Sequence, residues 1–294
     1  MRLGIIGTGN VGASFLLALR PILSSIGIVA SHAKKTNLQA RQWHVTPYTL
    51  ETIAAASDVL LLTVRDDVLP TLAEQISHHL DGHNPIVLHC SGALDTTVLQ
   101  AVQQKSCPIG SLHPLQTVCR PQAQIWQGVY FAIDGMPLAQ QAARTLVQWL
   151  GGHSFTLTAA ARPTYHAAAC LASNYIVTIY TLAQQLLAPL LSTGDAATAL
   201  APLLNGTVQH LCQATTSRTA LTGPIARGDI HTLTKHLHAL PPEYIDLYIS
   251  LGIPTAALAL QNKTISSEQY QAILSIFRNV KGANHAKNNT SDHS

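Results

Sequence analysis

The feature of this sequence that most constrains its fold is the segment RLGIIGTGNVGASFLLAL, near the start of the chain. Residues 3–6 form a short apolar run typical of a buried strand, and residues 11–19 have a helical pattern. Between them stand Gly7, Gly9 and Gly12. Glycines with this spacing permit a tight turn, bring the backbone close to a diphosphate and let the helix pack on the strand. The segment predicts a dinucleotide-binding turn, with a purely structural glycine turn as the alternative.

The residues of this turn are predicted to contact the cofactor, because a helix N-terminus offers N–H groups to an anion. They are Gly7, Thr8, Gly9, Asn10, Val11 and Gly12. The second strand, residues 26–30, ends without the carboxylate that holds the ribose of NAD; Ser31 and His32 stand there, followed by Lys34 and Lys35. Hydroxyl and cationic groups favour a 2′-phosphate, so the sequence predicts NADP(H). An ordinary solvated loop is the alternative for either lysine.

The first half of the chain alternates apolar runs with helical patterns. This alternation predicts an α/β fold, with an N-terminal Rossmann domain built on a doubly wound parallel sheet. The run VLLLTV, residues 59–64, is typical of a strand covered on both faces. Further strands are predicted near 43–45 and at 85–89, 109–112 and 129–133, with helices at about 66–80, 96–104 and 138–150.

The second half changes to one short strand, residues 154–158, followed by helices almost to the end. These helices are predicted at 163–188, 196–214, 230–240, 243–261 and 267–280. We therefore predict an NADP-binding Rossmann domain at residues 1–153 and an all-α substrate and dimerisation domain at 154–282. The polar segment 283–294 is predicted to be a disordered tail.

Composition narrows the class of function. The net charge is only +3 and no basic block occurs, which argues against nucleic acid. The five cysteines are scattered without a C-x-x-C pair, and the histidines lack ligand spacing, so we expect reduced thiols in a cytoplasmic protein and no metal. Residues 167–191 carry too many polar groups for a membrane span, and no signal peptide is expected before the first motif. The charged fraction of 11% suggests a surface covered by a second subunit.

The motif TVRDD, residues 63–67, lies at the end of a predicted strand. Ligands of Rossmann domains lie at the carboxyl ends of strands, so Thr63, Val64 and Arg65 are predicted to line the cofactor. Asp66 is more simply predicted to cap the following helix.

The motif HCSGALD, residues 89–95, follows another predicted strand. On the same reasoning, His89, Ser91 and Gly92 are expected to point toward the nicotinamide, and Ser91 is taken as a cofactor contact. The alternative is an ordinary turn at Ser91 and Gly92, with Asp95 capping the next helix.

The first helix of the second half carries the candidate proton donor. In ARPTYHAAACLASNYIV, a continuous helix places Arg162, His166 and Ser173 in one narrow arc, with Asn174 about 80° from His166. Reduction of C=O or C=N leaves negative charge that a donor must stabilise. His166 is predicted to donate the proton, Asn174 to orient the substrate and Ser173 to bind it. A core histidine and a buried amide are the alternative.

Two loops add further candidates. In SLHPLQTV, His113 precedes proline and is extended, so it is either a catalytic side chain in the cleft or a loop histidine. In LTGPIARGD, Arg227 is predicted to clamp a substrate carboxylate, and Asp229 to cap the following helix. A surface arginine in an inter-helix connector is the alternative for Arg227.

The N-terminal half resembles the NADP-binding domain of the 6-phosphogluconate dehydrogenase-like superfamily. More closely, HCSGALD, SLHPLQT, YHAAACLASNY and LTGPIARGD, in that order, resemble the Rossmann-like oxidoreductases that carry a C-terminal helical domain of unknown function. This resemblance, over about residues 1–280, implies NADPH, a cleft between the domains and often a homodimer. Some members are thought to act as an alternative ketopantoate reductase in pantothenate synthesis.

Two positions depart from the related enzymes. Related dehydrogenases use a lysine on the first helix of the second domain, where the nearest cation here is Arg162. Arginine does not donate a proton at neutral pH, so the acid role falls to His166 or His113. An arginine is also often found where this chain has His32.

These features together predict an NADPH-dependent reductase of a small 2-oxo acid, with ketopantoate as the first substrate to test. An imine reductase of the pyrroline-5-carboxylate type is the alternative among enzymes. A non-catalytic regulator that senses NADPH is the alternative from another class, since the lysine is missing.

Overall fold

The structure, a computed structural model, describes residues 1–80, 82–213 and 220–291, with only the backbone for 282–291. The chain divides into two compact units, Met1–Thr181 and Leu182–Ser294, and each is considered by itself.

The first unit is built on one eight-stranded sheet. Its strands are β1 (Leu3–Ile6), β2 (Ile26–Val29), β3 (Thr46–Pro47), β4 (Val59–Leu62), β5 (Ile86–His89), β6 (Ile109–Pro114), β7 (Tyr130–Gly135) and β8 (His153–Thr156). The strand order is β3-β2-β1-β4-β5-β6-β7-β8. The strand order proceeds outward from β1 to β3 and then, starting with β4, outward on the other side of β1. This single reversal of strand order, between β1 and β4, gives the doubly wound arrangement, so the predicted fold class is confirmed.

The sheet is not parallel throughout, because β7 runs antiparallel to β6 and β8 runs parallel to β7. For β7 to run parallel to β6, the segment between them would have to form a crossover connection, usually a helix. Residues 115–129 between these strands contain only the 3-10 turn Gln124–Trp126. The strand that the sequence assigned to the second domain, β8, belongs to this sheet, so the predicted boundary near residue 153 lies inside the first unit.

Six helices follow the strands of the sheet. They are α1 (Asn10–Leu19), α2 (Ala33–Trp43), α3 (Leu50–Ala56), α4 (Leu69–Ser77), α5 (Gln100–Gln103) and α6 (Pro137–Trp149). The third strand predicted near residues 43–45 is present but begins slightly later: Trp43 ends α2, and β3 begins at Thr46. The helix predicted at 96–104 is a 3-10 turn, Thr96–Leu99, followed by the single short helix α5.

The apolar strand β4 is covered on both faces, as predicted. Val59 and Leu61 pack in one core, with Phe15 of α1 among its members. Leu60 and Leu62 pack in the opposite core beside Ile53 of α3. Alternate residues of a strand point to opposite faces, so a continuous apolar run is what two covered faces require.

The helix predicted at 163–188 is interrupted. It forms α7 (Arg162–Ala172) and α8 (Asn174–Leu187), separated by Ser173 at φ −130° and ψ −71°. Serine and asparagine side chains compete for backbone hydrogen bonds, so they are favoured at helix ends over helix interiors. Pro163 lies in the first turn of α7, as predicted.

The second unit is helical. It contains α9 (Ala196–Gln213), α10 (Ile230–Ala239), α11 (Pro242–Gln261) and α12 (Ser267–Ser291). The predicted end of α9 at Ala214 lies outside the described residues. The segment 283–294, predicted to be a disordered tail, is part of α12 as far as Ser291, and residues 292–294 lie outside the described chain. Among the described residues, no helix is long and apolar enough to cross a membrane.

Candidate active site

The turn between β1 and α1 has open space at one of its glycines. Gly7 has φ +98°, and a Cβ there would lie 2.8 Å from the backbone of Thr63. A Cβ on Gly12 would overlap the Gly7 carbonyl oxygen, whereas a Cβ on Gly9 would meet nothing within 4 Å. The packing of the turn therefore requires Gly7 and Gly12, but it does not require Gly9.

The N-terminus of α1 begins beside the space at Gly9. Gly9 is the N-cap residue, no side chain of the described chain caps this end, and the first turn has no acidic residue. The first N–H groups of a helix have no intrahelical partner and attract anions. Open space beside such groups fits a diphosphate, as the sequence predicts.

Other residues of the turn hold its shape. The Thr8 hydroxyl donates to Gln39, and the Thr63 hydroxyl donates to the Gly7 carbonyl oxygen. The Asn10 amide donates to the Val118 carbonyl oxygen at 3.1 Å. The side chains of Thr8, Asn10 and Thr63 are thus engaged with protein, and their cofactor contacts stay predictions.

The two apolar candidates pack on opposite sides of the sheet. Val11 is half-buried against the core of Phe15, and Val64 is half-buried against the core of Ile53. Their contact with the cofactor also stays a prediction.

The end of β2 presents polar groups to solvent. Ser31 and His32 are exposed, and His32 caps α2, its Nδ1 accepting from the Lys35 N–H at 3.2 Å. Lys34 is exposed beside them in a first turn without acidic residues. A hydroxyl, an imidazole and a lysine at a helix N-terminus are suited to a phosphate.

The loop after β5 is a closed hydrogen-bonded turn. The Ser91 hydroxyl donates to Asp66 Oδ2 at 2.8 Å and accepts from the Leu94 N–H at 3.0 Å. Asp66 is thus a partner of Ser91, and its prediction as a helix cap is wrong. Asp95 does cap the following turn, accepting from the Thr97 N–H at 3.0 Å. Because the Ser91 hydroxyl is bonded to protein groups, its contact with the cofactor stays a prediction.

His89 does not point into open space, contrary to the prediction. It is fully buried at the end of β5, and its Nδ1 accepts from the Ser91 N–H at 3.2 Å. Burial, and then the charge of Arg162, lowers the pKa of His89 to about 3. The structure therefore gives His89 as a neutral core histidine.

Arg162 is a buried cation that contacts the loop after β5 and the neighbouring strands β6 and β7. Only 1% of its surface is exposed. Its guanidinium donates to the Ser91 carbonyl oxygen at 3.3 Å and to the Ser111 hydroxyl, and lies 3.6 Å from Asp134 Oδ2. The sequence placed Arg162 beside His166 but gave no sign of this depth, because a helical wheel shows direction and not burial.

The pocket that contains the predicted catalytic side chains has a volume of about 730 Å³. It lies between the end of β6 with its following loop and helices α7 and α8. Its polar lining includes His113, Tyr165, His166, Ser173 and Asn174. The structure therefore brings together four of the predicted site residues, although the break at Ser173 replaces the continuous helix on which the prediction relied.

The two histidines of the pocket meet at Gly92. Their ring centroids are 6.3 Å apart. A Cβ built on Gly92 would lie 2.6 Å from His113 Nε2 and 2.9 Å from His166 Nδ1. Because Gly92 has no side chain, both imidazoles have room beside its backbone. His166 Nδ1 is buried without a hydrogen-bond partner among the described residues.

Tyr165 is a pocket residue that the sequence reasoning missed. Its hydroxyl lies 2.6 Å from His113 Nδ1. Burial raises the pKa of Tyr165 to about 12. Burial, followed by the charges of His166 and Arg162, lowers the pKa of His113 to about 4. His113 is thus neutral near pH 7 and offers a hydrogen bond, not an imidazolium proton. No local pattern in the sequence signals this pair, because His113 and Tyr165 are distant along the chain.

Arg227 belongs to the second unit. It is exposed at the end of the 3-10 turn Ile225–Arg227, and Gly228 follows with φ +65°. Asp229 caps α10 as predicted, accepting from the Thr232 N–H at 3.0 Å. The role of Arg227 toward a carboxylate stays a prediction. In the described part of the chain, no three histidine, cysteine or acidic side chains cluster as metal ligands.

The sheet order and the glycine turn define a Rossmann-like protein. The chain belongs to the proteins in which a Rossmann-like domain, matched over residues 1–114, precedes a domain of unknown function (DUF2520), matched over residues 129–255. The resemblance seen in the sequence motifs is thereby confirmed. Among curated proteins, none matches this chain in sequence.

Three solved structures are similar to this fold. Protein TM1727 from Thermotoga maritima is 21% identical, over 89% of this chain and 99% of that chain, with a TM-score of 0.70. BF3122 from Bacteroides fragilis, a candidate NADP oxidoreductase, is 19% identical, over 87% and 98%, with a TM-score of 0.70. The pyrroline carboxylate reductase of Plasmodium falciparum, with NADP bound, is 12% identical, over 96% and 97%, with a TM-score of 0.53. At these identities the likeness shows the fold alone.

Proposed function

We propose that the protein is an NADPH-dependent reductase of a C=O or C=N bond in a small molecule. The observation that carries the proposal is the open space at Gly9 beside the uncapped N-terminus of α1. Support comes from the structures of similar fold, one named for NADP and one with NADP bound. The predicted contacts at Ser31 and His32 favour NADP(H) over NAD.

The pocket supplies the groups that such a reduction needs. NADPH, when bound, supplies the hydride. We assign His166 as the proton donor, and His113 as a neutral hydrogen-bond donor to the atom on which charge develops. Asn174 orients the substrate and Ser173 binds it. All four side chains line the same cavity.

The substrate that we propose is a small 2-oxo acid, and ketopantoate is the first compound to test, on the strength of the family resemblance. A cyclic imine of the pyrroline-carboxylate kind is the second candidate, because a fold of this kind is found in a pyrroline carboxylate reductase. NADPH oxidation with a panel of keto acids and cyclic imines separates the two. Tight NADPH binding without oxidation by any compound would favour a regulator that senses NADPH.

We also propose a homodimer. Helix α8 has no buried residue in the single chain. Four of its large apolar side chains are exposed, with Tyr175 at 55% and Val177 at 66% among them, and the leucines of its second half are half-buried. Several exposed apolar side chains on one helix are typical of protein interfaces. Sedimentation of the purified chain measures the mass directly. A cytoplasmic location fits the five free cysteines, and we propose no nucleic acid or membrane partner.

The substitution Gly9→Ala tests the cofactor site. Gly9 has φ −70°, which alanine adopts, and the added methyl meets no protein atom within 4 Å. We therefore expect an unchanged melting temperature and a Kd for NADPH that rises about tenfold, because the methyl fills the space for the diphosphate. Fluorescence titration with NADPH and NADH measures both affinities. Unchanged NADPH affinity in Gly9→Ala would place the cofactor elsewhere.

A further inference from the structure

The hydrogen bond between Tyr165 and His113 joins two groups that are neutral near pH 7. The hydroxyl oxygen lies 2.6 Å from Nδ1. Burial raises the pKa of the phenol to about 12, so it keeps its proton. Burial also lowers the pKa of the imidazole to about 4, so only one of its nitrogens carries a proton. The direction of this bond therefore decides which nitrogen that is.

The ring geometry fixes the two partners. The rings of Tyr165 and His113 meet edge to face, with centroids 5.5 Å apart and an interplanar angle of 89°. Phe155 of β8 also packs against Tyr165, with centroids 5.9 Å apart. The hydroxyl is thereby held toward Nδ1, while His113 Nε2 lies 2.6 Å from the position that a Cβ on Gly92 would take.

Chemistry selects the direction of the bond. A phenol O–H is a stronger donor than a neutral imidazole N–H, and the bare imidazole nitrogen is a stronger acceptor than a phenol oxygen. The hydroxyl of Tyr165 therefore donates to Nδ1 of His113. The remaining nitrogen, Nε2, then carries the hydrogen.

We infer that Tyr165 is a positioning residue that fixes His113 as the Nε2–H tautomer, so that the pocket holds a hydrogen-bond donor for the reacting oxygen or nitrogen. The catalytic part of this inference rests on the proposed function. The tautomer itself does not, because it is a property of the protein without substrate.

The second unit offers a matched control. The Tyr248 hydroxyl lies 2.8 Å from His236 Nδ1, with ring centroids 5.9 Å apart and an interplanar angle of 88°. This pair lies outside the residues that line the pocket. Tyr248→Phe removes an equivalent hydrogen bond, so it separates a general loss of stability from a specific effect on His113.

Nitrogen NMR of the full chain with ¹⁵N-labelled histidine tests the tautomer, with the signals of His113 identified by their loss in His113→Gln. In the wild type we expect a protonated Nε2 and a bare Nδ1. In Tyr165→Phe we expect both shifts to move toward an average of the two tautomers, and in Tyr248→Phe no change at His113. A proton on Nδ1 in the wild type, or unchanged His113 signals in Tyr165→Phe, overturns the inference.

Kinetics test the consequence for the reaction. With a substrate that the wild type reduces, kcat is expected to fall about 10- to 100-fold in Tyr165→Phe, since one preorganised donor is lost, while the Kd for NADPH is unchanged. Tyr248→Phe is expected to keep the wild-type kcat. Equal kcat values in Tyr165→Phe and the wild type contradict the catalytic part. If the wild type reduces no keto acid or imine, the proposed function fails, and the NMR result still decides the tautomer.

Discussion

Replacing Arg162 by methionine is expected to lower the free energy of unfolding by about 3 kcal/mol. Methionine retains much of the volume of the side chain but removes the charge. The Ser91 carbonyl and the Ser111 hydroxyl then lose their donor, and Asp134, 22% exposed, loses its cation. Breaking a buried pair by removing one partner leaves an uncompensated polar group, which is why the cost is large. Urea unfolding of the two proteins measures the difference.

The exposed pair of Arg65 and Asp67 supplies the control. Its two side chains are 81% and 63% exposed. Arg65→Met is therefore expected to change stability by no more than about 0.5 kcal/mol. Arg162→Lys keeps the charge, so its free energy of unfolding is expected to lie between the values for Arg162→Met and the wild type. An Arg162→Met protein as stable as Arg65→Met would show that the contacts of the buried guanidinium with Ser91, Ser111 and Asp134 do not stabilise the fold.

Arg162→Met has a second, electrostatic consequence. After burial and the charge of His166, the charge of Arg162 helps to lower the pKa of His113. Removing the guanidinium is expected to raise that pKa toward the ordinary value for histidine. Titration of the His113 signals by NMR measures the shift in any Arg162 variant that remains folded.

Gly92→Ala is expected to lower kcat/KM about 100-fold while the Kd for NADPH stays within about twofold. The added methyl would lie 2.6 Å from His113 Nε2 and 2.9 Å from His166 Nδ1, closer than ordinary packing allows. Both imidazoles must therefore shift, and displacements of this size in a catalytic site have large effects on rate. The diphosphate is predicted to bind at the turn of Gly7, Gly9 and Gly12, to which Gly92 does not belong, so we expect the Kd for NADPH to change little.

Gly206→Ala is the matched control for Gly92→Ala. Gly206 lies inside α9, and a Cβ there would meet nothing within 4 Å. We expect full activity and a gain in stability of up to about 1 kcal/mol, because alanine favours the helix. Wild-type turnover in Gly92→Ala would mean that the two imidazoles do not take part in the reaction together.

The parts of the fold that follow from periodicity and local chemistry were predictable from the sequence. The apolar run of β4 needed two covered faces, and Gly7 and Gly12 stand where a Cβ would strike backbone. Sequence reasoning failed where contacts between distant segments determine the direction of a strand or the partner of a side chain. The antiparallel direction of β7 depends on whether the segment between β6 and β7 forms a crossover connection. The hydrogen bond between Ser91 and Asp66 joins two segments that are far apart in the sequence.

The candidate site was predictable as a set of residues but not as an arrangement. His113 and His166 were both identified, and the structure places them across Gly92. Their contact depends on the end of β6 meeting α7, which no local pattern reports. The depth of Arg162 and the bond of Tyr165 to His113 were missed for the same reason, since burial and pairing are properties of the packed chain.

The central claim is that the amides at the start of α1 bind the diphosphate of NADPH, and a crystal structure of the NADPH complex tests it most directly. The account predicts diphosphate oxygens within hydrogen-bond distance of the N–H groups that follow Gly9, with the adenosine phosphate beside Ser31 and His32. A complex in which the coenzyme lies elsewhere on the chain, with protein atoms filling the space at Gly9, would contradict it.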